Sequence, residues 1–331
     1  MSVRVFVRVR PCGLRAAPAD VLSGRAMPPD VAIAAPAAAI RRATLVGSGA
    51  IGLWSTLALA TTLTGAVPPF LMVGLTFSVA ALVMAAKWIA SGEPILAKLV
   101  WPARVWALGV YGLFGYHALY FLALKTAPAV EANLVNYLWP LLIVLFSALL
   151  PGERLRWFHV AGAALGLAGA AILTLGGGRL ALSWEVALGY GAALGCALVW
   201  SSYSVLSRRF GNVPSDSVGG FCAATAILGF AAHFAFEAML WPQGWQWAAV
   251  LGMGLGPVGL AFYLWDHGMK RGDIRALGAL SYATPLLSTV LLILFGGGAL
   301  TWQVAAAAAL IVGGAILAAG ELLRSKKPPR A

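Results

Sequence analysis

The chain has 331 residues, of which 61% are apolar and only 10% charged, with a mean hydropathy of +0.86. Soluble domains carry about 25% charged residues, and apolar runs of about 20 residues recur here along nearly the whole length, which excludes a large soluble domain and indicates a polytopic membrane protein. A net charge of +12 would suggest nucleic acid in a soluble protein, but most of it sits beside apolar spans, so it reports orientation and no nucleic-acid partner is expected.

The first 40 residues carry Arg4, Arg8, Arg10, Arg15 and Arg25, much Ala and Pro, and no 20-residue apolar run. They are read as a disordered basic extension (1–40) outside the fold, with a targeting peptide, or a start upstream of a true initiator at Met27, as the other readings. Ten apolar spans follow, at 43–64, 67–90, 104–124, 128–149, 156–175, 184–206, 216–240, 246–268, 274–296 and 301–323. Gly, Pro or charge interrupts the chain between them, as at Pro68-Pro69, Gly92-Glu93-Pro94, Pro151-Gly152-Glu153-Arg154, Gly176-Gly177-Gly178, Arg208-Arg209 and Gly296-Gly297-Gly298. The loops are short, which leaves no room for an extramembrane domain, and a basic tail (325–331) closes the chain.

Placing the N-terminus inside puts 21 of the 23 Lys and Arg residues on the inner side, leaving only Lys125 and Arg179 outside. The reverse orientation violates the positive-inside rule at almost every loop, so N-in and C-in is expected. The spans also repeat. Lys125 and Pro140 stand 15 residues apart, as do Lys270 and Pro285, and the second pair lies 145 residues after the first. At the same offset Tyr120 matches Trp265 and Trp157 matches Trp302, while Ala171-Ile172-Leu173 matches Ala315-Ile316-Leu317 after a one-residue slip. The expected fold is therefore an all-α integral membrane protein of ten transmembrane helices, in a first five-helix repeat (41–178) and a second (179–324). An odd number of spans inverts the second copy, which places a substrate site near the midplane between them.

Gly162 with Gly166 in span five and Gly252 with Gly256 in span eight have the four-residue spacing that lets helices approach closely. Cys12, Cys196 and Cys222 show neither metal nor redox spacing, and no zinc motif, phosphate-binding glycine loop or Ser-His-Asp logic is present. No metal, cofactor or catalytic residue is expected.

The two five-span repeats, the string Ala123-Leu124-Lys125 … Pro140-Leu141 … Gly152-Glu153-Arg154-Leu155, and Pro285-Leu286 in span nine together resemble the drug/metabolite transporter superfamily in its EamA-type branch. Within that branch, Tyr116-His117-Ala118-Leu119-Tyr120-Phe121 and Asn133-Leu134-Val135-Asn136-Tyr137-Leu138-Trp139-Pro140 resemble the aromatic amino-acid exporters. The resemblance covers residues 43–323 and implies a carrier of the bacterial inner membrane. The second copy departs from the Glu-Arg turn, having Gly298-Ala299-Leu300.

In span four, Asn133, Asn136, Tyr137 and Pro140 fall at i, i+3, i+4 and i+7 and share one face, with Trp139 beside them. Amides in hydrocarbon need partners, so this face is expected to line a wet cavity, with interhelical hydrogen bonding as the alternative. His117 and Tyr120 lie one turn apart in span three, and an intramembrane His is a functional candidate beside the packing reading. Span one adds Trp54, span six adds Trp200 and Tyr203, and span nine adds Ser281 and Tyr282, the counterparts of Asn136 and Tyr137. Pro140 and Pro285 interrupt helical hydrogen bonds and are candidate hinges. Glu131 caps span four or makes a gate contact with Lys125. Trp88, Trp101, Trp106, Trp157, Trp184, Trp241, Trp245 and Trp247 are read as interface anchors. Asp266 and His267 are expected to face water beside Lys270, and His233 and Glu237 to do so at the other side.

The expected activity is a secondary transporter exporting aromatic or apolar amino acids by alternating access, with another small metabolite or a drug-like compound as the alternative cargo; a monomer is one reading of its assembly. A nucleotide-sugar or other phosphorylated cargo would require several cations facing the cavity, and only Lys87 and Lys125 come near it. A membrane-embedded enzyme would show clustered acids or His, whereas the 11 acids are scattered.

Overall fold

The structure, a computed structural model, describes residues 37–175, 184–296 and 300–318. Most of the expected N-terminal extension, the tail 325–331, the Gly176-Gly177-Gly178 loop with Arg179, and Gly297 and Gly298 lie outside the described residues. Within them the chain is helical, with no strand. The apolar segments are α1 (Ala37–Thr61), α2 (Pro69–Ala90), α3 (Ala103–Thr126), α4 (Ala129–Asn136 continued by Leu138–Ser147), α5 (Trp157–Leu175), α6 (Trp184–Ser207), α7 (Val218–Phe236), α8 (Gln246–Arg271), α9 (Ile274–Phe295) and α10 (Trp302–Ala318). Eight are long and apolar enough to cross a bilayer, and α4 and α10 are shorter apolar helices.

The helices pair in a pattern that follows the sequence repeat. α5 packs along α10, α2 along α7, α1 along the Ala261–Arg271 half of α8, and α6 along the Tyr116–Thr126 half of α3 and along α4. The Leu138–Ser147 half of α4 lies against the Ile274–Leu280 start of α9. Gly162 shows why α5 and α10 approach so closely. A Cβ there would sit 2.5 Å from the Gly314 carbonyl oxygen, so backbone meets backbone. The Gly252–Gly256 expectation is corrected. A Cβ on Gly252 would meet nothing within 4 Å, and the residue of α8 facing α2 is Gly254, whose Cβ would lie 2.5 Å from Val79. Gly256 opens a π turn, which changes the face that follows.

Backbone irregularities also recur at the 145-residue offset. A π turn at Tyr111–Gly115 in α3 is matched by one at Gly256–Leu260 in α8. The break at Tyr137 in α4 is matched by one at Ser281-Tyr282 in α9. Proline explains both breaks. Pro140 has no N–H to give the carbonyl of Asn136, and Pro285 none for Ser281, so each helix opens one turn ahead of its proline.

One end of the bundle gathers the basic turns. Asp273 accepts from the backbone N–H groups of Arg275 and Ala276 at 3.0 and 3.1 Å and so caps α9, while its own N–H reaches Thr44 Oγ1 of α1 at 2.8 Å. Near it, Asp216 holds Lys87 and Lys98 at 3.1 Å each and accepts from the Trp88 indole at 3.1 Å. Trp88 is therefore buried and bonded to Asp216, not an interface anchor, because the carboxylate of the turn before α7 takes its indole N–H. Trp157 and Trp245, by contrast, are exposed. Asp266 does not face water. It is buried, 2.8 Å from Lys270 one helical turn on, and Lys270 also donates to the Val213 carbonyl at 3.0 Å. At the opposite end, the side chains of His233 and Glu237 are likewise buried and paired at 2.9 Å. The Glu237 carboxylate accepts from the N–H groups of Phe70 and Leu71, capping the otherwise open first turn of α2.

Candidate functional site

Four tryptophans from four helices meet near the middle of the bundle. Trp54 of α1, Trp139 of α4, Trp200 of α6 and Trp265 of α8 form six ring pairs, with centroids between 5.1 and 6.5 Å apart. Five of the six are tilted or edge-on, the geometry that the ring quadrupole favours. The indole N–H groups of two are fixed by protein. Trp54 donates to the Pro257 carbonyl in the π turn of α8 at 3.0 Å, and Trp265 donates to Ser204 Oγ of α6 at 3.0 Å. Phe262 stacks on Phe77 at 5.6 Å and reaches Trp54 and Trp200, extending the aromatic wall.

Beside the tryptophans, α3 and α4 join through a polar-aromatic ladder. Tyr116 and Tyr120, one turn apart, stack at 5.9 Å. Asn136 donates through Nδ2 to the Tyr116 hydroxyl at 2.9 Å, and the Tyr120 hydroxyl donates to Asn133 Oδ1 at 2.7 Å. This leaves Asn136 Oδ1 buried and without a hydrogen-bond partner. His117 lies 2.6 Å by its Nδ1 from the Leu113 carbonyl, inside the π turn of α3. That contact requires the proton on Nδ1, and the imidazole ring packs edge-on against Phe77 and Phe262. The π turns thus expose a carbonyl on each side of the site, and a site side chain takes it.

The cluster is closed toward the basic end and looser toward the other. Trp139, Trp200, Tyr203, Trp265 and Asn136 are buried, and Trp265 is 1% exposed, whereas Trp54, Tyr116, His117, Tyr120 and Asn133 are only half-buried. Tyr203 seals the basic side, its ring 5.4 Å from Trp200 and resting on Gly112, where a Cβ would lie 2.2 Å from it. Only glycine at 112 admits that ring.

The remaining candidates are placed as follows. Tyr137 and Tyr282 pack in a second apolar cluster with α5 and α10, and Tyr282 accepts from the Leu141 N–H at 3.2 Å while resting on Gly166. The Ser281 hydroxyl is turned back to the Leu277 carbonyl at 2.7 Å. Glu131 accepts from the Tyr190 hydroxyl of α6, and Lys125 is exposed. Pro140 and Pro285 flank the two breaks. Tyr116, Phe77, Phe262 and Trp265 join the site although none of them is a site candidate in the sequence reading. The signal for Trp265 was its 145-residue offset from Tyr120.

Comparison with known proteins places the chain in a family. A model of the EamA-like transporter family matches residues 42–175 and again 187–320. The chain is 58% identical over 253 residues to the aromatic amino acid exporter YddG of Ancylobacter novellus, covering 76% of this chain and 87% of that one. It is 26% identical over 263 residues to the protein of the same name from Salmonella typhimurium, with the same shares. A solved crystal structure of 56% identity superposes with a TM-score of 0.81, covering 86% of this chain and 99% of the other.

Proposed function

This chain belongs to the EamA-like transporter family and is a transporter rather than an enzyme, and from that premise we propose that it exports aromatic and apolar amino acids across the bacterial inner membrane by alternating access. The observation that carries the reading is the four-tryptophan cluster. Trp54 and Trp139 come from the first matched copy and Trp200 and Trp265 from the second, so both halves wall one site. Stacked and edge-on indoles favour a flat apolar side chain. Asn136 Oδ1, a buried acceptor with no partner, supplies the polar complement for an α-ammonium group. The names of the two relatives, both aromatic amino acid exporters, support the substrate class and the direction.

The architecture assigned to this function is ten transmembrane helices as two inverted five-helix repeats (41–178 and 179–324), N-in and C-in. The matched copies, the recurrence of π turns and breaks at 145 residues, and the gathering of Arg154, Arg208 and Arg275 at one end support it. The basic end is then cytoplasmic. Rocking of one bundle against another about a midplane site provides the transport step.

The test is counterflow of labelled tryptophan into liposomes carrying the purified protein. Accumulation driven by unlabelled internal tryptophan is the expected result. No movement of tryptophan, phenylalanine or leucine by folded protein would remove the substrate assignment.

A further inference from the structure

The Gly152-Glu153-Arg154 turn is a sequence motif that the tryptophan site does not use. It leaves α4 at the basic end, where Gly152 takes a φ of 82°, the left-handed region open to glycine, and turns the chain so that Glu153 points back at the bundle. There Glu153 Oε1 lies 3.1 Å from Arg208 at the end of α6, and Oε2 lies 3.6 Å from Arg275 at the start of α9. Both arginines are fixed a second time by backbone. Arg208 donates to the Met269 and Gly272 carbonyls at 3.2 and 2.8 Å, and Arg275 donates to the Arg154 carbonyl at 2.8 Å.

We propose that Glu153 is the cytoplasmic clasp of the transport cycle: it holds α4 and α6 to α8 and α9 while the site faces outward, and release of its two arginines opens the path from the cytoplasm. The proposal rests on the orientation argued above. Exposed ion pairs contribute little, but this carboxylate is 15% exposed and Arg208 and Arg275 are 27% and 16% exposed, and each guanidinium is pre-positioned by carbonyls. The two ends of the bundle also differ. Here the end of α6 is tied to α8 by Ser204–Trp265 and Arg208–Met269 bonds. The helices equivalent by repeat, α1 and the Tyr116–Thr126 half of α3, have no comparable packing among the described residues. The clasp is therefore on the closed side. It also joins two half-helices that can swing, since Leu138–Ser147 and Ile274–Leu280 each lie on the basic side of a proline-induced break.

The experiment needs no substrate, so its failure is separate from failure of the amino-acid assignment. Ser207 is buried on the basic side and its hydroxyl bonds to the Ser204 carbonyl at 2.8 Å. A cysteine is placed there by Ser207→Cys, and its modification by a maleimide is timed at that residue by mass spectrometry, in purified full-length protein. Adding Glu153→Gln is expected to speed labelling about fivefold or more, the lower end of a conformational coupling. Arg275→Gln should do the same, and Glu153→Asp should return the rate most of the way to that of the parent. Labelling within twofold of the parent in Glu153→Gln, at unchanged thermal unfolding, overturns the proposal. If Glu153→Gln fails to fold, the same criterion applied to Arg275→Gln decides it.

Discussion

Trp54 and Trp200 stand at matching places in α1 and α6, 146 positions apart in sequence, and meet in space with ring centroids 5.7 Å apart and planes at 76°. The contact brings together one indole from each matched half of the chain. It makes the candidate site a joint product of the two copies, since each contributes a ring to the same contact. It also gives the two tryptophans different duties. Trp200 is buried against Tyr203 and Tyr116, whereas Trp54 is only half-buried.

That difference separates two variants. Trp200→Ala removes a buried ring and leaves a cavity, at a cost of about 3–5 kcal/mol, so lowered thermal stability is its first expected effect. Trp54→Leu keeps apolar bulk at a half-buried position and loses only the aromatic face. It should fold normally and lower the apparent affinity for tryptophan by about tenfold, as expected for loss of an aromatic pair worth about 1.5 kcal/mol at most. Leucine transport should change much less. Concentration-dependent counterflow of both amino acids checks this, and an equal loss for both would show that Trp54 does not read the ring.

Asn136 Oδ1 is buried with no partner, while Nδ2 is committed to the Tyr116 hydroxyl. If the free oxygen accepts from the substrate ammonium, Asn136→Leu should weaken amino-acid binding by about 10- to 100-fold, the range for a hydrogen bond to a charged group. The des-amino analogue of the same substrate gives no contact to lose. Binding of tryptophan and of indolepropionate, measured side by side, should therefore converge in the variant. A parallel drop for both compounds would assign Asn136 to holding Tyr116 alone.

Much of this was legible in sequence, and the parts that were not have physical causes. Trp54, Trp139 and Trp200 announced themselves as large amphipathic rings in mid-span. Trp265 did not, because it lies three residues from the expected end of its span, where an interface anchor is the usual reading; the helix in fact continues to Arg271. Pro140 and Pro285 predicted the helix breaks, since a missing N–H is a local property. The π turns have no such local code. The pairing of Asp266 with Lys270 follows from i, i+4 spacing, but their burial depends on closure of the whole basic end. Glu131 shows the same limit, since its partner Tyr190 is 59 positions away on another helix.

The Glu93–Lys98 pair beside the short helix Ile95–Leu99 supplies a pH window. Lys98, then Lys87, holds the Glu93 carboxyl below its usual range, and Glu93, then Asp216, holds the Lys98 ammonium above its own. A carboxyl lowered on folding contributes fully above its unfolded value of about 4.5 and ceases to contribute as pH falls through the folded value. An ammonium raised on folding contributes fully below about 10.5 and is lost as pH rises through its folded value. The difference in unfolding temperature between wild type and Glu93→Gln should thus be flat between these limits and shrink toward zero in acid. Because the group is at the surface, added salt should shrink it too. A difference that changes between pH 5 and 8 would place the responsible group elsewhere.

Pro140 offers the last separation, between stability and rate. Replacing it with Ala restores an N–H one turn after Asn136, where the open carbonyl of the break can accept it, and α4 can close into a continuous helix. The substitution removes a steric conflict and adds one backbone bond, so the variant should unfold at a higher temperature. The same bond stiffens the joint between Ala129–Asn136, which carries the polar face, and Leu138–Ser147, which leads to Glu153. Turnover in tryptophan exchange should then fall several-fold with little change in apparent affinity, because the site keeps its groups while the segment bearing the clasp swings less readily. Pro285→Ala in α9 should behave alike, and the double variant should be slower than either. Faster exchange in the more stable protein would mean that the break at Tyr137 serves to bind substrate and not to bend.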